Sequence, residues 1–229
     1  MKLTLMRKKQ EAPGVESFVF SPAEALTWQA GQFIQCLLEH EPMDSRGEER
    51  WFTIASAPFE QELMITTRIA SEKGSSFKAA LSDLQIGESI EMVDLDGDFV
   101  VEDPAQNYVF IAGGIGITPF HSILKQADHA GIKLNVTLLY GNRDDGIAFQ
   151  KELQGFAENN PNLLIEHVIA PQRIDESLIR QLVPDLQKPI FYVSGPEPMV
   201  ESLGEVLKAM GVPADHLKQD YFPGYAAHE

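Results

Sequence analysis

Cysteine is almost absent. Cys36 is the only one in the 229-residue chain, which excludes an internal disulfide, a cysteine-ligated zinc site and a four-cysteine iron–sulfur cluster. Any redox chemistry therefore falls to a bound organic cofactor. Long apolar runs are also missing, and no stretch approaches the ~20 residues of a membrane-spanning helix. The N-terminal MKLTLMRKKQ places its charges after its apolar residues, with no hydrophobic core region behind them, unlike a secretory leader. A cytoplasmic location is expected. Positive charge is scarce as well: 18 Lys and Arg stand against 34 Asp and Glu, a formal net charge of -16. That balance disfavours nucleic acid, an anionic membrane surface and a strongly acidic protein partner. Arg7, Lys8 and Lys9 are the one tight basic cluster and read as a solvated strand edge. His40, His121, His129, His167, His216 and His228 lack metal-ligand spacing, so no metal site is expected and satisfied or surface histidines are.

What is present divides the chain in two. Residues 3–6, 15–20, 33–38, 51–55, 63–69 and 89–93 are strand-like and separated by turn signals such as Pro13-Gly14, Ala30-Gly31 and Asp96-Gly97. They predict an antiparallel β-barrel over residues 1–102, interrupted by one helix at 75–84 with Phe77, Leu81 and Leu84 on a common face. After a polar link at 102–107, strands at 108–112, 134–140, 163–169, 190–194 and 217–222 alternate with amphipathic helices. Such alternation requires parallel strands with crossovers, so a doubly wound α/β domain is expected over residues 103–229. The whole is a two-domain α+β chain.

One stretch, YVFIAGGIGITP at 108–119, carries most of the chemistry. A continuously apolar strand breaks at Gly113, Gly114 and Gly116, where the backbone can turn tightly and a ligand can approach. Thr118 and Pro119 suit the first turn of a helix, whose free amides and partial positive charge favour a phosphate. A glycine-rich turn without a ligand explains the glycines alone equally well.

Three further stretches settle the choice by resemblance. RWFTIAS at 50–56, KGSSFKAAL at 73–81 and FYVSGPEPMV at 191–200, read with AGGIGITP, resemble the ferredoxin-NADP⁺ reductase superfamily of flavin enzymes over nearly the whole chain. The resemblance implies an FAD-binding barrel and a Rossmann-like NAD(P)-binding domain. In the first stretch the family pattern is Arg, any residue, Tyr, then Ser or Thr. Arg50 would neutralise the flavin pyrophosphate, Phe52 in the tyrosine position would stack on the isoalloxazine or ribityl, and Thr53 would hydrogen-bond near flavin N5, with Trp51 between them at the cofactor. Gly74, Ser75 and Ser76 open a helix whose start would receive the flavin pyrophosphate. Ser194, Gly195 and Pro196 stand where the family has Cys-Gly-Pro and would shape the nicotinamide pocket, Ser194 replacing the cysteine. Gly113 to Gly116 would hold the NAD(P)H pyrophosphate. The carboxyl end, QDYFPGYAAHE, offers Asp220, Tyr221 and Phe222, with Tyr225 as a further aromatic, as groups that reach back over the flavin.

The implied reaction passes hydride from NAD(P)H to FAD, between Thr53 and Ser194, and electrons on to a separate acceptor: a ferredoxin or flavodoxin, an enzyme or membrane partner, or a small oxidant. A flavin-bearing electron-transfer or sensor module without steady turnover is the alternative. The tip of the second α/β strand, Tyr140-Gly141-Asn142-Arg143, leaves the nicotinamide cofactor open: Arg143 can take a 2′-phosphate or stack on ribose, and Arg173 is a second candidate.

Overall fold

In the N-terminal half, side chains alternate between core and solvent with period two, and that alternation builds a six-stranded antiparallel sheet. A computed structural model describes residues 1–69 and 74–222, together with every expected site side chain except that of Phe222; Lys73, Tyr225 and His228 lie outside the described residues. Strand β1 (Lys2–Ala12) buries Leu3 and Leu5 completely and turns at Gly14, with φ +66°, into β2 (Val15–Pro22). The pairing runs on to Ala12 although apolar alternation stops at Met6, because the backbone ladder with β2 continues beneath polar side chains. Strands β3 (Phe33–Leu37), β4 (Glu49–Thr53), β5 (Leu63–Arg68) and β6 (Ser89–Asp96) complete the order β4-β3-β6-β1-β2-β5. The two edge strands meet just beyond β4, through an Ile54–Ile65 bridge and an Ala55 N–H donated to the Met64 carbonyl at 2.8 Å. Helix α1 (Ser76–Asp83) closes the interior with fully buried Phe77 and Leu81.

The basic cluster is an exposed strand edge: β1 pairs with β6 only over Lys2–Thr4, so at Arg7, Lys8 and Lys9 the described ladder is with β2 alone. There Arg7 donates to both Glu62 oxygens at 3.0 and 2.6 Å, and Lys9 pairs with Glu11 at 2.8 Å and Glu152 at 3.3 Å. The acidic surplus supplies a counter-charge for each of these two cations.

In the C-terminal half, continuous apolar strands require cover on both faces and form a parallel sheet. Strands β7 (Asn107–Gly113), β8 (Asn135–Asn142), β9 (Leu163–Ile169), β10 (Ile190–Pro196) and β11 (Leu217–Phe222) take the order β11-β10-β7-β8-β9. The chain winds outward from β7 to β9, then returns to the other side of β7, so the crevice of the switch point opens between β7 and β10. Helices α2 (Thr118–His129), α3 (Gln150–Asn159), α4 (Glu176–Leu182) and α5 (Glu197–Ala209) are the crossovers and covers. The sequence pattern missed α4: it has 7 residues and fully buries only Ile179, so it lacks the repeated apolar stripe that marks a helix. Its start is still conventional, with the Asp175 side chain accepting from Leu178 N–H at 2.9 Å.

The two halves share a tight seam. Phe99, ahead of the expected boundary at residue 102, packs edge-on to Tyr192 at 4.8 Å inside the α/β core. Fully buried His121 faces the Ala55 carbonyl through Nδ1 at 2.7 Å and the Glu152 carboxylate through Nε2 at 3.0 Å. Ser122 donates to the Ser56 carbonyl at 2.6 Å, and Lys125 bridges Glu60 at 2.9 Å and Glu152 at 3.3 Å. Ala55 and Ser56 lie two and three residues beyond the end of β4, so this seam anchors the strand that carries the expected flavin residues. Among the described residues no helix is long and apolar enough to cross a membrane, and no group of three or more His, Cys, Asp or Glu could hold a metal.

Candidate functional site

A cleft of about 1550 Å³ runs between the sheets, walled on one side by β4 and β5 and on the other by the carboxyl ends of β7, β8 and β10. It opens where β4 and β5 have only one bridge between them, so the gap in the barrel is itself part of the cavity wall.

On β4, Arg50 and Phe52 share a face, and both meet Phe77 of α1: the guanidinium carbon lies 5.5 Å from that ring's centre and the Phe52 ring 5.7 Å. Phe52 is 7% exposed and presents only a margin to the cleft, while Trp51 is 43% exposed and stands edge-on to Phe33 at 5.1 Å. Of these two adjacent aromatics, both of which line the cleft, Trp51 presents the larger exposed surface and Phe52 packs into the barrel core. Thr53 is 3% exposed, lines the cleft, and its Oγ1 has no partner among the described residues. A buried hydroxyl with unused hydrogen-bonding capacity in a ligand-sized cavity is suited to a ligand atom.

Arg50 folds back on the segment before it. Its Nη1 donates to the carbonyls of Arg46, Gly47 and Glu49 at 2.8, 3.0 and 2.6 Å, and its Nη2 donates to Ser75 Oγ at 3.3 Å. Gly74 and Ser75 line the cleft. Ser76 does not. Its amide donates to Asp44 Oδ2 at 2.9 Å and its hydroxyl accepts from Asp44 N–H at 3.0 Å, so the second serine of the expected phosphate cradle is engaged by the loop before β4.

The glycine corner sorts into two kinds of glycine. A Cβ on Gly116 would fall inside the Ser194 carbonyl, and one on Gly113 would strike Met199. Gly116 lets the turn pack against the β10 backbone, while Gly113 lies against the end of the Met199 side chain and also lines the cleft. Gly114, at φ +53°, has open space around its missing side chain and lines the cleft. The turn itself is a short 3₁₀ segment over Gly114–Ile117 that runs straight into α2. Thr118 lines the cleft but donates its hydroxyl to the Ile115 carbonyl at 3.1 Å, and Pro119 is buried in the first turn of α2, away from the cavity.

At the end of β10, Ser194 is fully buried behind Gly116 and is not among the residues that line the cleft, while its Oγ, like Oγ1 of Thr53, has no partner among the described residues. Gly195 packs on the Gly113 backbone, and of the Ser-Gly-Pro triplet only Pro196 reaches the cleft. Met199, four residues on from Gly195, does reach it.

Asp220, expected from the sequence as an acidic group of the carboxyl end reaching back over the flavin, lies at the edge of the cleft. It pairs in register with Ser194 and lines the cleft, and its Oδ2 has no partner among the described residues. Burial, reinforced by the neighbouring Asp98, pushes its carboxyl up from 3.8 to about 6. Tyr221 beside it is 51% exposed and also faces the cavity. At the far end, Arg143, Arg173 and Gln172 line one rim, joined by Arg68 of β5. Sequence reasoning missed Arg68; the only available signal was an arginine closing an apolar strand.

Comparison with known proteins follows the same division. Residues 110–204 match the family model of the oxidoreductase NAD-binding domain. The ferredoxin reductase component of 3-ketosteroid-9-alpha-monooxygenase from Mycobacterium tuberculosis is 28% identical over 206 residues, 88% of this chain and 56% of that protein. The chain spans 56–65% of the length of the related proteins it matches in this way. In fold, the FAD/NAD-binding domain of nitric oxide dioxygenase from Vibrio cholerae O1 biovar El Tor superimposes with a TM-score of 0.84 at 22% identity, over 96% of this chain and 98% of that one. A ferredoxin NADP+ reductase from Neisseria gonorrhoeae gives 0.82 at 20% identity, over 96% and 98%. With its six-stranded antiparallel sheet set against a five-stranded parallel sheet, the chain shares the two-sheet fold of these two structures, and its parallel half carries the match to the oxidoreductase NAD-binding domain.

Proposed function

We propose that the chain is an NAD(P)H-dependent flavoprotein reductase that takes hydride from NAD(P)H onto FAD and passes electrons to a separate acceptor. The observation that carries this reading is the shared cleft of about 1550 Å³, with Arg50 and Thr53 on one wall and Gly114 and Pro196 on the other. An ordinary small-ligand pocket holds ~300–1,000 Å³, so two nucleotides with their rings at the domain seam account for the larger space. FAD belongs to residues 1–102 and the nicotinamide dinucleotide to residues 103–229.

The residues present fit both groups. Thr53 Oγ1 has its hydrogen-bonding capacity free for a flavin ring atom, and Trp51 offers an exposed ring for stacking. Arg50, Gly74 and Ser75 form the flavin phosphate end. Gly114 gives close backbone approach to the second pyrophosphate, and Arg143 and Arg173 stand where its ribose end would lie. When bound, flavin supplies a two-electron acceptor that can release its electrons one at a time. The chain contributes orientation: the His121 and Ser122 bonds to the backbone after β4 hold the two walls at a fixed separation, which favours reaction between held partners. Asp220, raised to about 6, holds a proton at the cleft in mildly acidic solution and is ionised at neutral pH.

For the acceptor, the net charge of -16 favours a partner that is not itself strongly acidic. The Mycobacterium tuberculosis relative is a component of a monooxygenase, and a separate redox protein or enzyme of that kind is the reading proposed here. Anaerobic NADH or NADPH added to the flavin-loaded chain should bleach the yellow absorbance within seconds. Flavin that binds and stays yellow would favour a binding or sensor module, and failure to bind flavin refutes the reading.

A further inference from the structure

The start of α1 already holds an anion of the chain's own. Ser76 N–H donates to Asp44 Oδ2 at 2.9 Å, and Asp44 N–H returns a bond to Ser76 Oγ at 3.0 Å. Asp44 Oδ1 accepts from Arg46 N–H at 2.8 Å and from Arg50 Nη2 at 3.4 Å, while Arg46 Nη2 lies 2.7 Å from Oδ2. The Arg46 hydrogen bond, followed by the Ser76 amide, holds the carboxyl well below the usual carboxylate range, so it is charged at neutral pH.

This is more than a helix cap. The N-cap residue of α1 is Ser75, and its side chain makes no capping bond. The acceptor comes instead from a residue 32 positions earlier in the chain, and it gathers a helix amide and two guanidinium groups around one pair of oxygens. A phosphate asks for the same set of donors: backbone amides at a helix start and arginine. The segment that carries Asp44 is tied to the same serine a second time, with His40 Nε2 2.8 Å from Ser76 Oγ and His40 Nδ1 2.7 Å from the Leu38 carbonyl.

We propose that Asp44 is an internal stand-in for the flavin phosphate, occupying the α1 amide and the Arg46–Arg50 pair in the flavin-free chain and giving them up when the phosphate binds. The proposal rests on the flavin reading above and names the residue that sets phosphate affinity within it. Displacement frees two cations and a helix end for the incoming group and releases segment 38–48 from α1. The rival arrangement leaves Asp44 fixed, with the phosphate beside it at Gly74 and Ser75. It predicts the opposite signs, because Asp44 would then support the site.

The test compares FAD with riboflavin, which has the same ring and no phosphate, by equilibrium titration of the flavin-free wild type and Asp44→Asn. Asparagine keeps an acceptor oxygen for Ser76 N–H while removing the competing charge and the second oxygen, Oδ1, that accepts from Arg46 and Arg50. FAD should bind the variant about tenfold more tightly, with riboflavin unchanged, since only a charged group feels the lost repulsion. In the wild type, amide exchange over residues 40–48 should speed up on adding FAD. Weaker FAD binding by Asp44→Asn, an equal effect on both flavins, or slower exchange of 40–48 with FAD would each overturn the proposal while leaving the flavin reading intact. Binding of neither flavin by the wild type overturns both.

Discussion

Asp220→Asn separates two consequences of burying a carboxyl without a partner. In the folded chain Asp220 titrates at about 6 instead of 3.8, first because it is buried and then because Asp98 is near. The folded state therefore binds the proton more tightly than the unfolded state. The resulting stability is fully present below pH 3.8 and is lost as pH rises through about 6. At pH 8 the charged wild-type side chain carries a penalty of ~3 kcal/mol, obtained from 1.36 kcal/mol for each factor of ten in proton affinity. At pH 5 roughly half of that penalty is felt. Asparagine fills nearly the same volume and does not titrate. The variant's advantage over wild type should therefore grow by ~1.4 kcal/mol between pH 5 and pH 8. Urea unfolding of both proteins at the two pH values, with midpoints converted through their slopes, measures that difference. The same substitution should remove any bend in the wild-type pH profile of kcat near 6, because the proton held at the cleft is gone. A stability difference that is flat or shrinking from pH 5 to pH 8 would refute the reasoning, since it would mean that Asp220 is solvated or paired.

Gly116→Ala should cost ~3 kcal/mol or more, or prevent folding, since its methyl group enters the Ser194 carbonyl, whereas Gly114→Ala should cost only the ~1–2 kcal/mol of a left-handed backbone and instead raise KM for the nicotinamide cofactor. Thermal unfolding and steady-state kinetics on the pair separate the two. Glu152→Gln weakens the seam made with His121, Lys125 and Lys9 and should cost ~1–3 kcal/mol at pH 7. The His121 hydrogen bond is the main reason the Glu152 carboxyl lies well below its usual 4.5, so this advantage of the wild type should fade as pH falls below 4.5, which thermal scans at pH 7 and pH 4 would detect. Arg143→Ala should lower the ratio of kcat/KM for NADPH over that for NADH; an unchanged ratio would pass the role to Arg173.

The parts of this molecule that are legible in the sequence are those written by local periodicity. Strand alternation in the barrel, apolar parallel strands and amphipathic crossovers fix both sheets, and the order of RWFTIAS, KGSSF, AGGIGITP and SGPEPM fixes which ends of them meet. Illegible are the features decided by a neighbour distant in sequence. Ser76 and Ser75 look alike beside Gly74, yet one faces the cleft and the other faces Asp44, which arrives from a charged loop that carries no periodicity. Trp51 and Phe52 are adjacent aromatics, and a single step of alternation decides which is a core residue and which is an exposed surface.

The glycine corner and Ser194 show the same limit acting on a motif. In sequence, a glycine that makes room for a ligand is indistinguishable from one that makes room for another strand, because both are read only as a missing side chain. Here the two uses overlap: Gly116 admits β10, Gly114 stays open, and Gly113 both lies against Met199 of α5 and lines the cleft. Ser194 lies behind that close packing, and this wall of the cleft is lined by Gly113, Gly114, Ile115, Thr118, Pro196 and Met199, with Asp220 as the polar group on the next strand. A glycine motif thus marks where two segments approach closely, and which of its members meets a ligand depends on packing partners that the motif itself does not contain.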